Sequence, residues 1–165
     1  MKTLVLGAWS ALCGITLAGC AADSRNASFG DDLSDPQTPA RGSADLPQWL
    51  AAGYYRSWHC EAAPHAGRPP SPHGTTRICN NDALHGAAAG VGEFPAGAAA
   101  VKEIFNGESV AVHAVSLRVT TGQGGDGWYW FEGDASHASG NASGVPGCTG
   151  CHEQAARDYV FTIVP

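Results

Sequence analysis

Several features that define common classes of protein are scarce in this chain. Of its 165 residues only 9 are lysine or arginine, against 15 aspartates and glutamates, and the formal net charge is -6. No run or cluster of basic residues that would bind phosphates is present, so no nucleic-acid partner is expected. The apolar stretch at residues 4–17 is too short to cross a bilayer comfortably. Neither a nucleic-acid-binding protein nor a membrane-spanning helix is therefore predicted.

That apolar stretch has the form of an export signal. Lys2 precedes it, and residues 17–20 close it with Leu-Ala-Gly-Cys, which resembles the bacterial lipoprotein box. We predict a signal peptide at 1–19, lipidation of Cys20 and a membrane anchor made of acyl chains. An ordinary signal peptide cleaved nearby is the alternative. Ala21 stands where an aspartate would favour inner-membrane retention, so we expect an outer-membrane lipoprotein facing the periplasm.

The composition changes after the cleavage site. Residues 20–46 contain Asp, Ser, Pro, Gly and Ala with few large apolar side chains. Such a segment cannot bury enough surface to offset the entropy lost on ordering. We therefore predict a flexible, lipidated tether at 20–46 and a folded domain at 47–165, which is long enough for one core.

The domain is rich in segments typical of β-strands. Asn106-Gly107 separates two of them and predicts a hairpin. We expect a short helix or turn at 49–58, a loop at 64–74, strands at 75–79, 98–105, 109–120 and 128–132, a loop from 133 to 147, a helical turn at 148–156 and a final strand at 159–163.

The most informative motif lies near the end of the chain, where residues 148–152 read Cys-Thr-Gly-Cys-His. This spacing attaches haem c through two thioethers and supplies the adjacent histidine to the iron. Two residues between the thiols let both sulfurs reach the haem vinyl groups. We predict one covalent haem c on Cys148 and Cys151, with His152 as an axial ligand. A disulfide or another kind of metal site is the alternative.

Methionine is absent after Met1, which excludes the His/Met ligation of ordinary electron-transfer cytochromes c within this chain. The sixth iron position is left to a histidine, a lysine, another group or no protein ligand. His113 differs from the other histidines because it falls in a predicted core strand. A structural hydrogen bond is the alternative role for His113.

The cysteines are accounted for in an oxidising compartment. Cys13 falls in the signal peptide, Cys20 is assigned to lipid, and the last two cysteines are assigned to haem. We predict that the remaining pair, Cys60 and Cys79, forms a disulfide. Two separately buried thiols are the alternative.

Lysine is almost as scarce as methionine. Lys102 is the only lysine beyond the signal peptide, and it lies in the segment 98–105, which is apolar apart from Lys102 and Glu103. A buried ammonium is costly unless it is paired or used chemically. Lys102 is therefore a candidate functional residue, and a lysine facing outward from a half-exposed strand is the alternative.

Five segments, taken in order, resemble the cytochrome P-460 family. They are Tyr-Arg-Ser-Trp at 55–58, the run from Phe-Pro-Ala-Gly to Val-Lys-Glu at 94–103, Gly-Trp-Tyr-Trp at 127–130, the haem motif, and Arg-Asp-Tyr-Val-Phe-Thr at 157–162. The resemblance implies an α+β fold, in which a mainly antiparallel β-sheet domain with a few short helices carries haem c near its C-terminus. It also implies a homodimer.

The resemblance implies roles for individual residues as well. In family members that oxidise hydroxylamine, the lysine of the Val-Lys-Glu segment is joined to a haem meso carbon, and Lys102 matches that lysine. Arg77 matches an arginine that lines the distal pocket. Ala114 stands where those members carry a distal carboxylate, so His113 or Glu108 would have to accept protons instead.

Three functions follow from these observations. The first is an open distal site that binds or oxidises small nitrogen compounds, such as hydroxylamine or nitric oxide, with a redox partner protein if it is catalytic. The second is a non-catalytic gas-binding or sensing protein, like the related cytochromes c-prime-beta, and Ala114 favours it. The third is an electron carrier with His113 as the sixth ligand.

Overall fold

The computed structural model describes residues 33–42, 44–134 and 136–165. The predicted signal peptide, Cys20 and the first part of the predicted tether lie outside the described residues. The elements in chain order are α1 (Asp45–Ala52), β1 (His59–Cys60), β2 (His65–Ala66), β3 (Thr75–Asn80), α2 (Asp82–Gly86), β4 (Ala99–Asn106), β5 (Ser109–Arg118), β6 (Trp128–Gly133), β7 (Ala138–Ser143) and α3 (Pro146–His152). None of the helices in these ranges is both long enough and apolar enough to span a bilayer.

The described strands pair into an antiparallel sheet. Their order is β1-β3-β4-β5-β6-β7, and β2 also pairs with β3. The predicted β4–β5 hairpin turns at Asn106-Gly107, where Gly107 has a φ of 63° that a residue without Cβ adopts at little cost. The prediction of an α+β fold, mainly antiparallel sheet with a few short helices, is confirmed.

Two predictions for the second half of the domain are wrong. The predicted loop at 133–147 contains β7, which pairs with β6 through its backbone although Gly, Ser and Ala have low β propensity. The predicted strand at 159–163 is absent from the described structure, where an isolated bridge joins Arg157 to Val160. Asp158 and Tyr159 have φ angles of 38° and 65°, and this left-handed conformation turns the chain away from an extended path.

The folded part of the chain begins before residue 47. The indole Nε1 of Trp49 donates to the Asp35 carbonyl at 2.8 Å, and that of Trp58 donates to the Pro36 carbonyl at 2.7 Å. Ala40 is fully buried, and α1 begins at Asp45. Residues 35–42, predicted as tether, therefore pack against the domain, because they supply acceptors to two indoles that would otherwise be buried without partners.

Alternation along the strands gives the sheet two different faces. On one side, the α1 face, the sheet packs against α1 and the turn that follows it. The disulfide between Cys60 and Cys79 joins β1 to β3 on this side, as predicted. The large side chains of this core are Leu46, Trp49, Leu50, Tyr55, Trp58, Val101, Val115, Leu117, Tyr129 and Phe131.

The opposite side, the cavity face, has a smaller core. The chain from α3 to the C-terminus packs against it through Cys148, Tyr159 and Val160. The fully or almost fully buried members of this core are Leu84, Phe94, Ala98, Trp128 and Trp130. The sheet therefore separates a tightly packed layer under α1 from the side that carries the cysteine and histidine motif.

Candidate functional site

A cavity of about 400 Å³ lies between the cavity face and α3. Strands β3 to β6 form one wall, and α3 with the segment after it forms the other. The predicted site residues Cys148, Cys151, His152 and Lys102 all line this cavity. Residues that are 46 or more positions apart in the sequence are thus brought to one place by the sheet.

The two cysteines are presented to the cavity by the short helix α3. Pro146 stands in its first turn, where no backbone N–H is needed, and the Val145 carbonyl accepts from the Cys148 amide at 2.9 Å. A spacing of three residues places Cys148 and Cys151 on one side of a helical turn. Both are free thiols, and burial raises the pKa of Cys148, with Glu132 and Cys151 nearby.

His152 is held in an orientation suited to a metal ligand. Its Nδ1 donates to the Tyr159 carbonyl at 2.8 Å, which leaves Nε2 as the nitrogen that can ligate a metal. The ring of Trp130 lies beside it, with centroids 4.6 Å apart. Burial lowers the pKa of His152; the hydrogen bond to the Tyr159 carbonyl opposes this shift, and the charge of Lys102 adds to it. The imidazole is therefore neutral at pH 7, the form that binds metal.

The Tyr159 carbonyl owes its position to a strained piece of backbone. Asp158 and Tyr159 are the two described non-glycine residues with positive φ, a conformation that costs about 1–3 kcal/mol per residue. The Asp158 carboxylate accepts from the Phe94 amide at 2.7 Å and from the Trp128 indole at 3.4 Å. Its Oδ1 also lies 3.4 Å from Arg118 Nη1. These contacts hold the turn that presents the carbonyl to His152.

A row of side chains crosses the sheet on the cavity face. Lys102 pairs with Ile78 on β3 and with Ala114 on β5, and Ala114 pairs with Glu132 on β6. Residues paired across antiparallel strands lie on the same face, and all four line the cavity. Burial lowers the pKa of Lys102, and the charges of Glu132, Cys151 and Glu61 oppose that shift. Ala114, whose side chain is small, stands between Lys102 and Glu132 in this row.

A histidine from the proline-rich loop completes this wall. His73 lines the cavity, and its Nδ1 lies 3.5 Å from Glu132 Oε2. Burial, assisted by the charge of Lys102, lowers the pKa of His73 to about 4. The lysine, the carboxylate and a neutral imidazole thus meet at one side of the cavity, and we call these three residues the polar wall.

Arg77 and His113 were expected in the pocket, and the structure places them elsewhere. Arg77 pairs with Glu103, and Glu103 pairs with His113, one residue out of phase with Lys102. A step of one residue along a strand reverses the face, so both lie on the α1 face. Glu108, the other expected proton acceptor, is exposed in the β4–β5 turn. The expectations that these three residues face the cavity are therefore wrong.

On the α1 face, these residues form a buried polar cluster of Tyr55, Arg77, Glu103 and His113. Glu103 is 2% exposed and accepts from the Tyr55 hydroxyl and from Arg77 Nε, both at 2.7 Å. His113 Nε2 lies 3.0 Å from the Tyr55 oxygen. Burial and the bond to Glu103 raise the pKa of Tyr55 to about 12. For His113, the structural hydrogen bond considered as an alternative is the observed role.

Sequence reasoning missed Glu132 and His73. Glu132 ends the aromatic segment at 128–132, and alternation with Trp128 and Trp130 would place it on their face. The register with Lys102 and Ala114, however, is a property of three paired strands that one sequence does not specify. His73 lies in a loop whose path no periodicity predicts.

The cavity residues fit the haem predicted from the motif. Two free thiols and a neutral histidine line one wall. The Nε1 atom of Trp130, a residue 3% exposed that also lines the cavity, has no hydrogen-bond partner among the described residues. A buried indole N–H without a partner is uncommon and is consistent with a group missing from the protein part alone.

Comparison with known proteins agrees with this chemistry. The family model for cytochrome P460 matches residues 52–162. This range contains the cysteines and histidine of α3, the polar wall and the whole sheet. No curated protein gives a significant match to the chain. Because the family match covers well over half of its length, the chain belongs to the cytochrome P460 family of haem proteins.

Proposed function

We propose that this protein is a mono-haem c cytochrome that binds and oxidises small nitrogen compounds, such as hydroxylamine or nitric oxide, on the open side of its haem. The observation that carries the proposal is the pair of unlike walls around one cavity. Cys148, Cys151 and His152 form one wall, and the polar wall with Lys102 forms the other. Family membership supports haem binding. A cytochrome that only transfers electrons has no need for ionisable groups beside an open iron position.

Each residue has a defined part in this proposal. Cys148 and Cys151 would form the thioether bonds, and His152 Nε2 would ligate the iron. Bound haem would supply the redox-active iron at which the nitrogen compound is oxidised. The remaining cavity residues bind and orient that compound and move its protons.

Lys102 is proposed to bond to a haem meso carbon and so to tune the macrocycle. Its lowered pKa increases the fraction of neutral, nucleophilic amine. The bond replaces one N–H and one C–H by an N–C bond. It therefore releases two electrons and two protons, and a peroxide acting as oxidant would accept them.

Gas binding without turnover is the second candidate. Ile78 and Ala114, which flank Lys102 in the row across the sheet, add apolar surface to the cavity, which suits an uncharged diatomic ligand. The electron-carrier alternative with His113 has no support, because His113 lies on the α1 face.

Optical spectra and mass spectrometry of the purified holoprotein test these proposals together. A red-shifted ferrous Soret band in the wild type that is lost in Lys102→Ala, with unchanged haem loading, would support the cross-link. Lys102→Arg is the matched control, because it keeps the positive charge but cannot reproduce the bond, and it should behave like Lys102→Ala. Identical spectra in all three proteins would contradict the cross-link, and a wild type without covalent haem would contradict the whole proposal.

The proposal extends to where the protein works. We propose an exported lipoprotein, anchored at the outer membrane through Cys20, which acts as a homodimer and passes electrons to a redox partner protein. The Cys60–Cys79 disulfide supports export, since such bonds persist in oxidising compartments. Cys20→Ser should move the haem-loaded protein from the membrane fraction to the soluble periplasmic fraction. Unchanged membrane attachment would contradict the anchor.

A further inference from the structure

The polar wall contains a pair of side chains arranged to move a proton. We propose that His73 and Glu132 form a proton-accepting pair that deprotonates acidic ligands as they enter the cavity. His73 Nε2 would accept the proton, and Glu132 would take up the proton that leaves Nδ1. The inference rests on the proposed function in one respect, since it requires haem in the cavity.

The geometry assigns the two ring nitrogens different tasks. Nδ1 of His73 lies 3.5 Å from Glu132 Oε2, which is long for a hydrogen bond, but such contacts often tighten only when ligand is bound. A carboxylate at Nδ1 favours the tautomer with the proton on that nitrogen and leaves Nε2 as an acceptor. The same arrangement makes histidine a general base in many enzymes.

The two residues of the pair differ in exposure to solvent, and Glu132 is the more exposed one. The His73 side chain is 16% exposed, and that of Glu132 is 35% exposed. Both line the cavity. A proton taken up at His73 can therefore leave to solvent through the more exposed Glu132.

The surroundings of His73 keep its imidazole unprotonated. Burial is the main cause of the low pKa of His73, and Lys102 on β4 adds to it while its amine is a free ammonium. Glu132 faces it from β6, and His152 on α3 is kept neutral by its own surroundings. His73 is therefore neutral at pH 7. Because its low pKa also makes it a weak base, the transfer depends on the Glu132 carboxylate, which compensates the positive charge and takes up the Nδ1 proton.

The step balances without any electron transfer. A ligand HX gives its proton to Nε2 and remains as the anion X⁻. The proton on Nδ1 then passes to the Glu132 carboxylate and from there to water. The imidazole returns to its neutral form with its two nitrogens exchanged, and a ring flip or a second proton exchange restores the starting tautomer.

Binding of two small ligands to the ferric holoprotein distinguishes a role in proton transfer from an effect on ligand entry into the cavity. Hydrogen cyanide is almost fully protonated at neutral pH and must lose its proton to bind iron, whereas azide is already an anion. In His73→Gln and Glu132→Gln the association rate constant of cyanide at pH 7 should fall by about tenfold or more, and that of azide should change by less than about twofold. The matched control is Glu108→Gln, which makes the same change at an exposed carboxylate in the β4–β5 turn. It should leave both rate constants unchanged.

The possible results distinguish a failure of the proton-accepting role from a failure of the proposed function. Unchanged cyanide rates in both variants, or equal losses for cyanide and azide, would overturn the proton-accepting role. A low-spin resting spectrum that becomes high-spin in His73→Gln would show His73 on the iron and would also overturn it. A wild type that lacks haem or fails to bind azide would instead contradict the proposed function. If one variant fails to load haem, the other variant decides the question.

Discussion

The two faces of the sheet both bury ionisable groups, but they satisfy them in different ways. On the α1 face, the Glu103 carboxylate has Tyr55 and Arg77 within hydrogen-bond distance and is almost fully covered. On the cavity face, Lys102 is largely buried with no hydrogen-bond or ion-pair partner in the described part of the chain, and His73 and Glu132 lie 3.5 Å apart. Adjacent residues of one strand, Lys102 and Glu103, therefore experience opposite conditions.

The number of partners that a buried charge has indicates whether it serves the fold or a ligand. A buried charge with all of its partners in place stabilises one arrangement of the chain. Buried charges without partners reduce stability and are kept where a ligand or a reaction uses them. The buried polar cluster thus has the character of a structural feature, and the polar wall is the one we propose to be functional, although the sequence predicted His113 and Arg77 in the second group.

The largest effect is expected from replacing the two cysteine pairs, of which one lies on the α1 face and the other beside the cavity. Replacing Cys148 and Cys151 together by serine in a Lys102→Ala background, which removes the proposed third attachment, should abolish covalent haem, because no other described thiol lines the cavity. Replacing Cys60 and Cys79 together by alanine should retain haem. It should lower the free energy of unfolding by about 3 kcal/mol, since the disulfide closes a loop between residues 19 positions apart.

Haem staining after denaturing electrophoresis and urea unfolding measure these two results. Haem that stays covalently bound in the variant lacking Cys148, Cys151 and Lys102 would contradict the assignment of α3. Loss of haem in the Cys60 and Cys79 variant, with the fold intact, would contradict the separation of the two faces.

A medium effect is expected from two glutamates. Glu103→Gln should lower the free energy of unfolding by about 3 kcal/mol, because it leaves the half-buried Arg77 beside a neutral group and disturbs the bond from the buried Tyr55. Glu132→Gln should change it by less than about 1 kcal/mol, since that carboxylate is 35% exposed. Urea unfolding of the two holoproteins measures both values. Equal losses of stability would remove the distinction between the cluster and the polar wall.

The sequence was sufficient for the parts of this molecule that depend on local chemistry. The spacing of Cys148, Cys151 and His152, the Asn106-Gly107 turn and the leftover pair of cysteines each limit the structure to few solutions. The failures have a different origin. Arg77 and His113 were misplaced because the face of a strand depends on register. Likewise, β7 was missed because its pairing comes from backbone contacts with β6 rather than from its side chains.

The smallest effect tests how the cavity side holds its histidine. Asp158 does not touch His152, but its carboxylate fixes the left-handed turn that aims the Tyr159 carbonyl at Nδ1. An acceptor at Nδ1 makes the imidazole a stronger donor to iron and favours the ferric state. Asp158→Asn loses the charge that faces Arg118 and loosens this turn. We expect a lower iron–histidine stretching frequency in the ferrous protein and a higher midpoint potential, with haem loading unchanged. Asp134→Asn, in an exposed turn after β6, is the control. If the two variants give the same frequency and potential, Asp158 does not position His152 and serves only to hold Phe94, Arg118 and Trp128 together.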